Sequence, residues 1–168
     1  MTLPAMNRRS ICLYLLFVLL AACSGSSNVS KTIVDQGAFT IKVMSYNIHH
    51  ANPPSQPGII NLDTIAAIIK AQSPHFVALQ EVDVRTKRSG VTIDQAAYLA
   101  NKTGMHHFFA KAIDYEGGEY GVAILSKYPI RNAQKHLLPN EPGSNAEQRV
   151  LATAVVTLPN GKEILFAS

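Results

Sequence analysis

Residues 39–48 begin with Phe39, Ile41 and Val43 alternating against Thr40 and Lys42, then turn apolar on both sides, as a strand does on entering a core. Pro53, Pro54, Pro57 and Gly58 follow, so residues 51–58 are predicted as a loop at the strand's end. From Asn61 onward, Leu62, Ile65, Ala66, Ile68 and Ile69 form a one-sided helical stripe with Lys70 facing out, and Ser73-Pro74 stops it. The short apolar run 76–79, bounded by Pro74 and by Gln80-Glu81-Val82-Asp83, reads as a strand covered on both faces. Strand, helix, strand implies a right-handed crossover between parallel neighbours, which brings Asn47 and Glu81 out on the same sheet edge.

The second half is patterned differently. Thr92-Ile93-Asp94-Gln95 has the form of a capping box, Ile93, Ala96, Ala97 and Ala100 form the buried stripe behind it, and Gly104 closes that helix. Strand-like segments follow at 105–113, 120–127, 130–138, 149–158 and 162–167. His106-His107 opens the first of them, with one of the pair expected in the core. The links Glu116-Gly117-Gly118, Lys127-Tyr128-Pro129 and Pro159-Asn160-Gly161 are turn chemistry, which predicts an antiparallel meander. The expected class is α/β (α+β), a mixed sheet with helices outside.

The N-terminus has an address of its own. Arg8 and Arg9 precede an uncharged apolar run at 11–22, shorter than the ~20 residues a membrane-spanning helix needs. The run ends Leu20-Ala21-Ala22-Cys23, which resembles the lipobox of bacterial lipoproteins. Residues 1–22 are therefore expected to be a signal peptide and Cys23 the lipidated first residue of the mature chain. Residues 23–38 would be a Ser-rich tether, and 39–168 the folded domain. Acyl chains on Cys23 would hold the protein on the cell-envelope membrane. Ser24 fits sorting to the outer membrane. An ordinary secretory signal is the alternative.

The only cysteines, Cys12 and Cys23, fall in this export segment, which leaves no thiol for a disulfide or a zinc-thiolate site in the body. Removing Arg8 and Arg9 lowers the formal charge from +4 to +2, so the basic balance is no argument for a nucleic-acid substrate.

A carboxylate and an amide on adjacent strand ends suit a hard cation such as Mg²⁺, which takes oxygen ligands and keeps several waters. Glu81 is the candidate ligand and Asn47 its neighbour. These residues sit in phrases that resemble the endonuclease/exonuclease/phosphatase family: Met44-Ser45-Tyr46-Asn47-Ile48-His49-His50, Leu79-Gln80-Glu81-Val82-Asp83, residues 85–89 followed by Asp94-Gln95-Ala96-Ala97, the run GGEYGVAILSKYPI at 117–130, and Glu147-Gln148-Arg149. The resemblance implies the N-terminal part of a four-layer α/β/β/α sandwich. It also implies a phosphoester hydrolase in which Glu81 coordinates Mg²⁺, with Mn²⁺ the alternative, Asn47 orients phosphate or water, and a water attacks phosphorus in line.

Arg85 and Arg88 follow the metal strand, where they would either grip a substrate phosphate or lie in a solvated loop. One of His49 and His50 is expected to touch substrate, since a His doublet without a third ligand is not a metal site. Tyr120 and Arg149 either join the site or buttress it. The family's Thr-His pair, Asp-x-Asn triplet and terminal Ser-Asp-His are absent, so this polypeptide is expected to be an incomplete, inactive fragment. One sheet's inner face would then be left uncovered and prone to aggregation. The substrate stays open among nucleic acid, a lipid head group and a small phosphate ester, with no obligate protein partner. A catalytically inactive, lipid-anchored binding module is the competing reading.

Overall fold

A computed structural model describes residues 39–168. The expected signal peptide (1–22), the tether and Cys23 lie outside the described residues. Strand β1 (Val43–Asn47) pairs in parallel with β2 (Phe76–Val84), and helix α1 (Leu62–Gln72) makes the crossover between them. Asn61 caps α1 by accepting a hydrogen bond from the Thr64 amide at 3.0 Å. Ser73 ends it in the left-handed conformation at φ +48°. Leu62, Ile65, Ala66 and Ile69 are buried as the stripe predicts, whereas Ile68, expected in the stripe, is exposed.

Helix α2 (Gln95–Thr103) corrects the capping box. Its N-cap is Asp94, whose side chain accepts from the Ala97 amide at 2.9 Å, and Thr92 plays no part in the cap. Gln95 lies at the first helical position, fully buried, and points into the fold. The buried stripe carries Leu99 where Ala97 was expected.

The predicted antiparallel meander holds in two runs and breaks once, between them. Strands β3 (His106–Tyr115) and β4 (Gly118–Ser126) are joined by Glu116 and Gly117, both at positive φ, which is the turn a twisted two-residue hairpin requires. His106 and His107 are both exposed on β3, so neither is the expected core residue. β4 pairs antiparallel with β2 and gives a mixed four-stranded sheet in the order β1-β2-β4-β3. At Lys127-Tyr128-Pro129 the chain leaves that sheet. Strands β5 (Ile130–Leu137), β6 (Val150–Thr157) and β7 (Glu163–Ala167) form a second, antiparallel sheet.

Period-two alternation explains the layering. On β2, Val77 and Leu79 face α1 and α2, together with Ala123 and Leu125 of β4 and Leu99 of α2. Phe76, on the opposite face, meets Val156 and Leu158, with the Phe166 ring tilted against it at a centroid distance of 5.1 Å. Ala110 and Ile124 meet Val150, Ala152 and Ala154. The layers therefore run helices, four-stranded sheet, three-stranded sheet. Small alanines let the two sheets approach closely. The expected uncovered inner face is thus corrected: among the described residues, the inner faces of the two sheets cover each other.

Candidate functional site

The carboxyl ends of β1 and β2 emerge side by side, as the crossover requires. Asn47 Nδ2 donates to Glu81 Oε1 at 2.7 Å, and Asn47 Oδ1 accepts from the His49 amide at 2.9 Å. Glu81 Oε2 has no hydrogen-bond partner among the described residues. Glu81 is placed by a β-bulge: the β2–β4 register slips between Leu79 and Val82, and Glu81 adopts φ +58°. The extra residue restores Val82 to the helix-facing core and re-aims the carboxylate at the sheet edge.

Beyond Asn47 the backbone turns left-handed for three residues in a row, with φ of +47° at His49, +43° at His50 and +60° at Ala51. Each such residue costs about 1–2 kcal/mol, so the turn must be held by its surroundings. Gln95 Nε2 donates to the His50 carbonyl at 2.7 Å, while Gln95 Oε1 accepts from the Asp83 amide at 2.9 Å. His49 Nδ1 is hydrogen-bonded to the Asn52 carbonyl at 2.8 Å. The turn brings both imidazoles to one side, with ring centroids 4.5 Å apart. Ligand atoms of His49, His50 and Glu81 all lie within 4.8 Å of one another, so the doublet does have a third partner. Burial, with the Arg88 charge next, holds the His50 imidazole below its ordinary value and favours the neutral ring.

Arg88 follows neither of the two readings its sequence position allows, a grip on substrate phosphate or a place in a solvated loop, and pairs instead with Asp83. Its Nε and Nη2 donate to the two oxygens of Asp83 at 2.8 and 2.9 Å, and its guanidinium lies 4.3 Å above the Tyr115 ring. Ser89 and Thr86 hydroxyls also donate to Asp83. Burial pushes the Asp83 carboxyl upward, but these bonds outweigh it and hold it below the usual carboxylate range. Arg88 thereby anchors the strand just beyond the bulge. Arg85 is exposed at φ +57° and borders a separate concavity beside Asp114 and Glu119, away from the Asn47–Glu81 pair.

Tyr120 and Arg149 do come together with the pair. A cleft of about 440 Å³ between the two sheets is lined by Asn47, Gln80, Glu81, Tyr120 and Arg149 among others. Burial, with the Glu81 charge next, pushes the Tyr120 hydroxyl up, so it stays protonated and able to donate. Arg149 is paired with Glu147 at 3.1 Å and stays largely exposed at the cleft mouth. Asp83 and Gln95 were missed as site residues. Asp83 follows Glu81 by two, but only the folded structure shows it burying an ion pair. Gln95 looks like a capping residue until its helix is seen to begin two residues later than a Thr92 cap would place it, with Gln95 at the first helical position.

The donor set fits a divalent cation: Glu81 offers a free oxygen, and two imidazoles stand beside it. Residues 44–163 match the model of the Endonuclease/Exonuclease/phosphatase family. The chain is similar in structure to an endonuclease/exonuclease/phosphatase from Beutenbergia cavernae, with TM-score 0.62 and 28% identity over 76% of this chain and 37% of that one. It is also similar to a family protein from Bacteroides thetaiotaomicron, with TM-score 0.54 and 14% identity over 76% of this chain and 49% of that one. The human Nocturnin catalytic domain gives TM-score 0.55 and 19% identity over 76% of this chain and 48% of that one. At these identities the last two show likeness of fold alone. The chain thus spans from 37% to about half of the length of these structures. No curated protein matches the sequence.

Proposed function

Because the chain belongs to the endonuclease/exonuclease/phosphatase family, we propose that the Asn47–Glu81 cleft is the cation-binding part of a centre that hydrolyses phosphate esters. The observation that carries this reading is the 2.7 Å amide–carboxylate pair set on a strained bulge at the edge of a cleft. Strain is retained where the surrounding structure holds a side chain for chemistry.

Glu81 would hold a divalent cation, Mg²⁺ by the family resemblance and Mn²⁺ as the alternative. When bound, such an ion neutralises charge on the phosphoryl oxygens and lowers the pKa of an attached water. The chain's own residues do the rest of the positioning. Asn47 fixes the carboxylate rotamer and leaves its amide beside the phosphate position. Tyr120, kept protonated, donates a hydrogen bond to a phosphoryl oxygen, and the exposed Arg149 adds positive charge at the cleft mouth. Arg85 stands apart from these residues and has no role in the proposal. Arg88 acts through Asp83. His49 and His50 stand at the same edge, where one of them would touch substrate.

The substrate belongs to the phosphate esters, whether nucleic acid, lipid head group or small ester. A lipid anchor at Cys23 would put the enzyme in the cell envelope, with the outer membrane favoured. Incorporation of labelled palmitate that is lost in Cys23→Ser supports the anchor, and label retained in that variant removes it.

Hydrolysis of bis-p-nitrophenyl phosphate tests the main reading, assayed with Mg²⁺ and with EDTA, for this chain and for a longer polypeptide carrying the family's Thr-His, Asp-x-Asn and Ser-Asp-His motifs. Activity confined to the longer polypeptide, lost with EDTA and in Glu81→Ala, supports the proposal and the expectation that this chain alone is inactive. EDTA-sensitive activity in this chain alone keeps the site and refutes the need for those motifs. Absence of hydrolysis from both moves the reading to a binding module.

A further inference from the structure

We propose that His49, His50 and Glu81 together form a binding site for a borderline transition-metal cation of the Mn²⁺–Zn²⁺ class, preferred over Mg²⁺. The proposal deepens the reading of Glu81 as a cation ligand and names the ion class that its neighbours select.

Consecutive residues in an extended strand point to opposite faces, so two adjacent histidines would ordinarily not share a target. Here the left-handed run from His49 to Ala51 turns both rings to one side, 4.5 Å apart. Their ligand atoms and a Glu81 oxygen lie within 4.8 Å of one another. Ligands at about 2.0–2.2 Å from one ion stand roughly 3–3.5 Å apart, so side-chain rotations of about an ångström close the site.

The tautomer of His49 is fixed by its partner. A carbonyl only accepts, so the 2.8 Å contact between Nδ1 and the Asn52 carbonyl places the proton on Nδ1 and leaves the Nε2 lone pair free. A ligating histidine is commonly oriented in this way, by donating its other ring N–H to a backbone carbonyl. For His50 the holding bond is on the backbone, where Gln95 Nε2 grips its carbonyl at 2.7 Å and sets the direction of the side chain. Gln95 is fully buried and tied at its other end to the Asp83 amide, so the turn is anchored to the same strand that carries Glu81. Two imidazole nitrogens and one carboxylate, with open positions for water and substrate, suit Mn²⁺, Fe²⁺ or Zn²⁺, whereas Mg²⁺ prefers oxygen ligands throughout.

The full chain, stripped with chelator, is titrated with Zn²⁺, Mg²⁺ and the spectroscopic probe Co²⁺. The expected result is visible Co²⁺ bands and Zn²⁺ binding tighter than Mg²⁺ binding. His49→Asn and His50→Asn should each weaken Co²⁺ and Zn²⁺ binding by at least ~10-fold, the least that loss of even a supporting partner costs. Asparagine suits these positions because it tolerates positive φ. As a check independent of substitution, Zn²⁺ should shift the imidazole ¹⁵N resonances of both histidines in the unaltered chain. Unshifted ¹⁵N resonances, unchanged affinity in either variant, or Mg²⁺ binding as tight as Zn²⁺ overturns the proposal. Histidine-dependent Zn²⁺ binding without hydrolysis of any ester leaves the site standing and removes the hydrolase reading. Mg²⁺-driven hydrolysis indifferent to both histidines does the reverse.

Discussion

Glu81 holds φ +58°, a conformation that costs a residue with a Cβ about 1–2 kcal/mol. Glycine adopts it freely. Glu81→Gly is therefore expected to keep or slightly raise stability in thermal unfolding, by up to ~1 kcal/mol, while abolishing cation-dependent hydrolysis by the longer polypeptide; a clear fall in melting temperature would show that the carboxylate also supports the fold. At Asp83 the sign is opposite. Its carboxylate is buried and depends on the Arg88 fork, so Arg88→Ala should destabilise the protein by about 3–5 kcal/mol in urea unfolding. The folded pKa of Asp83 lies below its unfolded value of roughly 3.9. The stability it contributes is fully present above that unfolded value and is lost as pH falls through the folded one. Urea midpoints measured down the acid limb should show this loss in the parent chain and a weaker one in Asp83→Asn.

At the scale of elements, the two bulged strands share one glycine. Gly121 lies opposite Val82 just after the bulge on β2, and opposite Lys111 just before the irregularity on β3. A Cβ there would lie 2.1 Å from the Ala110 carbonyl oxygen, a contact with backbone that no side-chain movement relieves. Gly121→Ala should therefore cost at least the upper part of the ~1–3 kcal/mol typical of overpacking. Gly104→Ala, at the αL cap of α2 with nothing near its Cβ, should cost only about 1 kcal/mol. Equal losses in urea titrations of the two variants would contradict the close approach. The bulges and this glycine explain why Glu81 reaches the cleft instead of following the alternation of its strand.

The whole molecule is stitched through Phe76, fully buried where the first sheet meets Val156 and Phe166 of the second. Phe76→Ala should cost about 3–5 kcal/mol. Because the cleft lies between the sheets, with Glu81 on one and Arg149 at the edge of the other, the sheets are expected to unfold as one unit. Tyrosine fluorescence and far-UV circular dichroism should then give coincident urea transitions, and separate midpoints would show that the sheets are independent. Among the described residues, no helix is long and apolar enough to cross a membrane.

Local pattern was enough to define α1, the start of β2 and the β3–β4 hairpin, because each is specified by periodicity and by residues suited to its ends, such as Asn61, Pro74 and Gly117; β1 was placed but not bounded, since the strand expected from Phe39 begins only at Val43, whose side chain is exposed. The adjacency of Asn47 and Glu81 was also legible, since a right-handed crossover leaves little choice of edge. The division into two sheets was not, because Lys127-Tyr128-Pro129 reads equally well as a hairpin turn or as a crossing, and only the burial of Phe76 with Val156 and of Ile124 with Ala154 decides. Nor were the left-handed turn at His49–Ala51, the bulge at Glu81, or the ion pair of Asp83 with Arg88 written in any local signal. Each is unfavourable alone and persists through partners distant in sequence: Gln95 for the turn, β4 for the bulge, and for the ion pair a protein interior that desolvates the carboxylate while satisfying its oxygens.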